Sequence, residues 1–250
     1  RAIVTGAGRG IGERIAVRLA EAGADVVAVA RTEHEVETTV ERVREHDVEG
    51  LAVPTDLASV DEIDALIDTV TAEWETPDIL INNAGANLAA PPLDQTTEQV
   101  DTMLDVNVRG LFLLSQRFAQ VFRGSTLDRG RIVNISSVAS RIGIPQMTVY
   151  GGTKAAVNGL TRGLAAELAG DGITVNTVVP GLVGVDRIED LIDRKGEEIY
   201  DLDRIPLGSV GTPTNVADAC LFLTSDLAEY VTGEELVVDG GVSFTAGLYR

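Results

Sequence analysis

Cysteine is nearly absent from the sequence: Cys220 stands alone, so no disulfide can form within the chain. That thiol and the two histidines, His34 and His46, offer no metal-ligand spacing, which excludes a structural zinc site. Long apolar runs are missing too. None approaches the roughly 18 residues that a membrane helix needs, and the chain opens straight into Ala2-Ile3-Val4-Thr5-Gly6 with no charged and apolar leader. These absences lead us to expect a soluble cytoplasmic protein without membrane contact, with a few residues lost before Arg1. Positive charge is the scarcest commodity: 20 Lys+Arg stand against 39 Asp+Glu, a net charge of −19, and Lys154 and Lys195 are the only lysines. Such a surface repels nucleic acid. Its acids are spread along the chain without a block of like charge, which fits a hydrated surface and not an interaction tail.

The sequence is rich in alternating order. At 250 residues and 44% hydrophobic composition, it suits one compact domain with one sizeable core. Short β-branched runs alternate with longer amphipathic stretches, the pattern of a parallel sheet covered by helices on both faces. Seven strands are expected: Ala2–Thr5, Asp25–Ala30, Gly50–Pro54, Ile79–Asn82, Arg131–Ile135, Thr174–Val179 and Glu235–Val238. Helices are expected over 11–22, 33–46, 60–74, 97–122, 149–169 and 213–224. Their starts are marked by capping signals at Ser59–Glu62 and Thr96–Gln99 and by Thr212-Pro213. The fold class is therefore α/β: a doubly wound Rossmann-type single domain over 1–250 with a seven-stranded parallel sheet. The charged, weakly periodic stretch 182–208 breaks the alternation and reads as a substrate lid, with a plain surface insertion as the alternative.

Thr5-Gly6-Ala7-Gly8-Arg9-Gly10-Ile11-Gly12 follows the first strand and opens the first helix, where a dinucleotide fold needs glycines. Gly6 permits the tight turn, Gly10 admits a pyrophosphate to the backbone, and Gly12 allows close packing of helix on strand. Tyr150-Gly151-Gly152-Thr153-Lys154 places a phenol and an ammonium four apart, on one face of a helix. A free tyrosine titrates near pH 10, and a cation nearby favours the phenolate, which would bring proton transfer within reach of neutral pH.

These elements, with Asn82-Asn83-Ala84-Gly85, Asn107, Ser136-Ser137, Pro180-Gly181 and Val238-Asp239-Gly240-Gly241 in the same order, make the chain resemble the short-chain dehydrogenase/reductase family along essentially its whole length. The resemblance implies a catalytic set of Asn107, Ser137, Tyr150 and Lys154. In it Tyr150 is the general acid or base, Ser137 binds the substrate oxygen, Lys154 binds the nicotinamide ribose, and Asn107 holds a water in the proton relay. Ser137 takes the role over Ser136 by its spacing to Tyr150. The resemblance also brings Asn83 near the adenosine ribose, Asp56-Leu57 to the adenine edge, and the backbone of Val183 to the nicotinamide carboxamide. It departs from the family at Val185, where a threonine is usual.

Cofactor choice depends on the end of the second strand, where users of NAD carry an acid for the ribose 2′-hydroxyl. Here Ala30 stands there, followed by Arg31, and with Arg9 this favours a 2′-phosphate and so NADP(H) over NAD. The expected cofactor-binding residues are thus Gly6, Arg9, Gly10, Ile11, Gly12, Arg31, Asp56, Leu57, Asn83, Tyr150, Lys154 and Val183; no metal is expected. The function expected is hydride transfer between NADP(H) and a carbonyl or secondary alcohol. Reductases of 3-oxoacyl thioesters are the nearest-looking relatives. Sugar or other alcohol dehydrogenases are the alternative within the family, and a non-catalytic NADP(H) sensor or scaffold is the alternative outside it. Ile142, Ile144, Met147, Leu182 and Val185 are a candidate apolar substrate wall. The resemblance further implies a homotetramer, and the many acids with almost no lysine resemble proteins of salt-accumulating halophiles.

Overall fold

A computed structural model describes residues 1–184 and 205–244. Seven strands, β1 (Ala2–Thr5), β2 (Val26–Ala30), β3 (Gly50–Pro54), β4 (Ile79–Asn82), β5 (Gly130–Ile135), β6 (Ile173–Pro180) and β7 (Glu235–Val238), form one parallel sheet in the order β3-β2-β1-β4-β5-β6-β7. The chain reverses its direction of winding between β1 and β4, which are paired through Ala2–Ile79 and Val4–Ile81. In such sheets the crevice beyond the carboxyl ends of the strands at this reversal is where ligands bind.

Period-two alternation sorts the strand residues between two cores. Ala2, Val4, Val26 and Ala28 face one side, against Ile15, Leu19 and Val40 of α1 (Gly10–Glu21) and α2 (Glu33–Arg44). Ile3, Val27 and Val29 face the other, against Ile63, Leu66 and Val70 of α3 (Val60–Trp74) and the stacked rings of Phe118 and Phe122. Cys220 is fully buried in the first core, where burial pushes its thiol pKa up and leaves it an apolar filler.

The helix expected over 97–122 is three pieces. α4 (Thr97–Leu104) begins on a complete Thr96/Gln99 capping box, a π-helical turn runs Asp105–Gly110, and α5 (Leu111–Arg123) continues. The turn brings Gly110 against the carbonyl of Leu57, where a Cβ would lie 2.2 Å from that oxygen. The Ser59 cap is half a box: Ser59 accepts from the Glu62 amide, but the Glu62 carboxylate reaches the backbone N–H of Asp56 instead, at 2.7 Å. α6 (Thr148–Leu168) and α7 (Pro213–Thr224) complete the helices that cover the sheet, the latter with a Thr212/Asn215 capping box and proline in its first turn.

A buried polar line crosses the middle of the sheet. Asn82 Nδ2 donates to Asn134 Oδ1 and to Ser115 Oγ, each at 2.9 Å, and Asn134 Nδ2 donates to Thr161 Oγ1, which meets Thr177 Oγ1 at 2.6 Å. This ties β4, β5, β6 and α6 together directly beneath the carboxyl ends of the strands and explains Asn82 as a structural residue.

Candidate active site

Beyond β1 the chain turns sharply into α1. Gly6 and Gly10 have φ of 63° and 61°, the left-handed region that glycine enters at no cost. A Cβ at Gly12 would lie 2.1 Å from the Gly6 carbonyl oxygen, so only glycine lets the helix start this close to the turn. Asn83 locks it from the far side. Its Nδ2 donates to the carbonyls of Thr5 and Gly6 at 2.9 and 3.2 Å, while Thr5 Oγ1 accepts from the amides of Asn83 and Ala84 at 3.0 Å.

A cleft of about 670 Å³ opens over this turn, lined among others by Gly6, Arg9, Arg31, Asp56, Leu57 and Asn83. Asn83 and Gly85 also line a second chamber, of about 190 Å³, together with Ile11, Asn87, Ser136, Ser137, Tyr150, Lys154, Pro180 and Gly181. Sharing those two residues, the cavities adjoin along the carboxyl ends of β1, β4, β5 and β6. All the expected cofactor residues except Gly10, Gly12 and Val183 line them. The two glycines shape their floor. Val183 is buried in the core, sits in a β-bridge with Gly211 and lines neither cavity. Of the expected apolar wall, Ile142, Ile144 and Leu182 pack on Val138, Val179, Ile205 and Val242 and do not line the chamber. Val185 and most of the proposed lid lie outside the described residues.

At the chamber, Ser137 follows β5, and Tyr150 and Lys154 project from α6. Ser137 Oγ accepts from the Ala139 amide at 3.2 Å and is hydrogen-bonded to the Tyr150 phenol. Lys154 is 3% exposed; its Nζ donates to the Ile135 carbonyl at 2.7 Å and lies 5.9 Å from the centre of the Tyr150 ring. Burial lowers the Lys154 pKa to about 8. Burial also raises the Tyr150 pKa, and the Ser137 hydrogen bond offsets part of that rise.

Asn107, on the π-helical turn, is fully buried and stands behind the chamber without lining it. Its Oδ1 accepts from the Ala86 amide at 2.7 Å, and its Nδ2 donates to the Ala86 carbonyl at 2.9 Å and to Thr153 Oγ1 at 3.0 Å. Thr153 Oγ1 in turn donates to the Tyr150 carbonyl at 2.7 Å. Asn107 therefore braces the segment after β4 against the turn that carries Tyr150. Ser136 donates to the Lys154 carbonyl at 3.1 Å and so supports the same helix.

Among the lining residues that the sequence did not single out, two carry charge or an unmet polar atom. Asn87, two residues beyond the Asn-Asn-Ala-Gly turn, has a buried Oδ1 with no hydrogen-bond partner. Glu35, in the first turn of α2 and four residues after Arg31, lines the cleft beside Arg9.

The family model described as Enoyl-(Acyl carrier protein) reductase matches residues 6–243. The chain belongs to the short-chain dehydrogenase/reductase family. It is an oxidoreductase of that family. The curated protein "3-oxoacyl-[acyl-carrier-protein] reductase FabG" of Staphylococcus aureus is 38% identical over 243 residues, 96% of this chain and 97% of its own. Among solved structures, a gluconate 5-dehydrogenase from Burkholderia cenocepacia in complex with NADP and tartrate superposes with a TM-score of 0.91 at 34% identity, covering 98% of this chain and 96% of its own. A putative betaketoacyl-ACP reductase superposes with a TM-score of 0.85 at 36% identity, covering 98% of both chains.

Proposed function

We propose that the protein is an NADP(H)-dependent reductase of ketones, acting on a 3-oxoacyl thioester, and that it runs the reverse oxidation of the secondary alcohol at the same site. The observation that carries the reading is the pair of adjoining cavities, one with Arg9 and Arg31, the other with Ser137, Tyr150 and Lys154, that share Asn83 and Gly85 as a common wall. The donor set fits a phosphorylated dinucleotide: a tight glycine turn at a helix start, and Arg9 and Arg31 as cations in a protein that has few. Bound there, NADPH supplies the hydride.

This chain's residues manage the proton. In our reading Ser137 Oγ holds the substrate oxygen, and Tyr150 Oη passes its proton to that oxygen as negative charge develops on it. The nearby Lys154 ammonium stabilises the phenolate left behind and binds the ribose, while Asn107 holds the walls in register. Asn83, Asp56 and Leu57 line the adenosine end, as the resemblance implies. The complete set of Asn107, Ser137, Tyr150 and Lys154 argues against a purely sensing role.

One observation favours the second substrate class. The buried, unpartnered Oδ1 of Asn87 beside the reacting groups calls for a donor. A sugar acid or polyol offers a hydroxyl next to its carbonyl, and a 3-oxoacyl chain offers none there. For assembly and setting, the reading is a cytoplasmic homotetramer adapted to high salt. It is supported by the net charge of −19 with two lysines, by exposed Leu227, Tyr230 and Phe244 around the edge strand β7, and by exposed Gly152, Ala155, Gly159 and Gly163 on α6.

The test is the consumption of NADPH with 3-oxoacyl thioesters, simple ketones and keto-sugar acids in molar KCl. Turnover of oxoacyl thioesters well above the others supports the first reading, preference for the keto-sugar acids transfers the assignment to the second, and no turnover of any carbonyl would sink both.

A further inference from the structure

The end of the cleft that holds Arg9 and Arg31 also holds a carboxylate. Glu35 lies in the first turn of α2, and Thr39 fixes that turn in place. The buried Thr39 hydroxyl donates to the Ala7 carbonyl of the glycine turn at 2.7 Å and contacts the Glu35 carbonyl at 3.1 Å. The Glu35 side chain then folds over Gly8. A Cβ at Gly8 would meet Glu35 Cβ at 2.8 Å and Glu35 Oε2 at 2.9 Å, with Ala30 Cβ at 3.4 Å, so any larger residue at position 8 would displace the carboxylate. Glu35 thus occupies the space beside Ala30, the position from which an acid at the end of β2 would reach a ribose.

Its partners leave it room to act. Arg9 Nη1 is 3.9 Å from Glu35 Oε1, and the Arg9 side chain is 85% exposed, so the pair is loose. Arg31 lines the same end and makes no ion pair among the described residues. The other carboxylate there, Asp56, is engaged by the Ala58 amide at 3.0 Å. Two cations and two carboxylates therefore share one end of the cleft, and Glu35 is the carboxylate next to both the glycine turn and Ala30.

We propose that Glu35 is a specificity-determining residue for the dinucleotide: it accepts a hydrogen bond from an unmodified ribose 2′-hydroxyl and repels a 2′-phosphate. The protein then binds both NADPH and NADH, with the preference created by Arg9 and Arg31 held down by Glu35. The inference rests on the dinucleotide reading of the cleft.

Calorimetric titration of the full chain and of Glu35→Gln with NADPH and with NADH, each in the same KCl buffer, tests it. Replacing the charge with a neutral amide of the same size should raise the ratio of Kd(NADH) to Kd(NADPH) by about tenfold, a change of about 1.4 kcal/mol, through tighter NADPH binding and weaker NADH binding. Glu35→Ala should move the ratio in the same direction, and matched melting temperatures show that both variants are folded. The shift should persist in an Arg9→Gln background, because Glu35 acts on the ribose directly. A ratio unmoved by either variant, or a shift that disappears without Arg9, would overturn the proposal while leaving the dinucleotide site intact. Failure of the unaltered protein to bind either dinucleotide would remove the cofactor reading and this inference with it.

Discussion

At the chamber, the Lys154 ammonium is 3% exposed and bonded to a strand carbonyl, and Asn107 spends both donors and its acceptor on Ala86 and Thr153. At the other end of the site, Arg9 is 85% exposed and stands 3.9 Å from its only ion-pair partner among the described residues, Glu35. The difference has a physical consequence. Buried polar groups in low dielectric are costly to leave unpaired, so the chamber tolerates few changes and holds its geometry before any ligand arrives. Exposed charges are screened and loosely held, so the adenosine end can change its preference at little cost in stability. On the proposed reading, chemistry is fixed at one end of the site and choice of dinucleotide is adjustable at the other.

The strongest way to break the comparison is Tyr150→Phe. If the chamber carries only chemistry, this change removes the proton donor while leaving the charged end untouched. Turnover should fall by about two to four orders of magnitude, with Kd for NADPH little changed. Stopped-flow rates and calorimetry on the same preparation check it. Weakened dinucleotide binding of similar size would mean that the two ends are coupled, and near-full activity would remove Tyr150 as the acid.

A second effect separates the ends by pH. Lys154 titrates near 10.5 in the unfolded chain and at about 8 in the folded one. Between those values the unfolded state binds more protons, so this group's contribution to stability rises with pH. Below about 8 the folded protein bears the full burden of a buried ammonium, and above 10.5 neither state carries the charge. At about 1.4 kcal/mol per pH unit of displacement, the unfolding free energy of the unaltered protein relative to Lys154→Met should climb by up to about 3 kcal/mol from pH 8 to 10.5. Denaturant titrations across that range measure the difference. A flat difference would mean that Lys154 is not desolvated.

The same contrast explains what the sequence disclosed. The seven strands, their parallel arrangement and the glycine turn were legible because alternation and turn chemistry act locally, while Ser137, Tyr150, Lys154 and most of the cofactor residues were placed by the family resemblance. The π-helical turn at Asp105–Gly110 was not legible, since it depends on the approach of Gly110 to the Leu57 carbonyl from a distant segment. For the same reason the side-chain partners of Asn107 were not legible: Ala86 and Thr153 lie 21 and 46 residues away. Glu35 was hidden among the acids of an exposed-looking helix, and only the missing Cβ of Gly8 brings its carboxylate into the cleft. The effect of burial, which raises the Tyr150 pKa, was likewise not legible, since only the cation four residues on could be weighed from the sequence.

The smallest expected effect sharpens the comparison by salt. The Debye length falls from about 30 Å at 0.01 M to about 3 Å at 1 M, so KCl acts on exposed charges and leaves the chamber alone. With a net charge of −19, screening should relieve mutual repulsion, raise the melting temperature between dilute buffer and 2 M KCl, and hold the subunits together in sedimentation. At the adenosine end it should weaken both the attraction of Arg9 and Arg31 for a 2′-phosphate and the opposing push of Glu35. The NADPH preference therefore narrows only slightly over the same range. The pH-dependent difference between the unaltered protein and Lys154→Met should not move with salt, because that charge is desolvated and its bond to Ile135 is shielded. Melting curves and calorimetry at three KCl concentrations give all the readings. A falling melting temperature would withdraw the adaptation to salt, and a salt-sensitive Lys154 difference would show that water reaches the chamber as freely as it reaches the cleft.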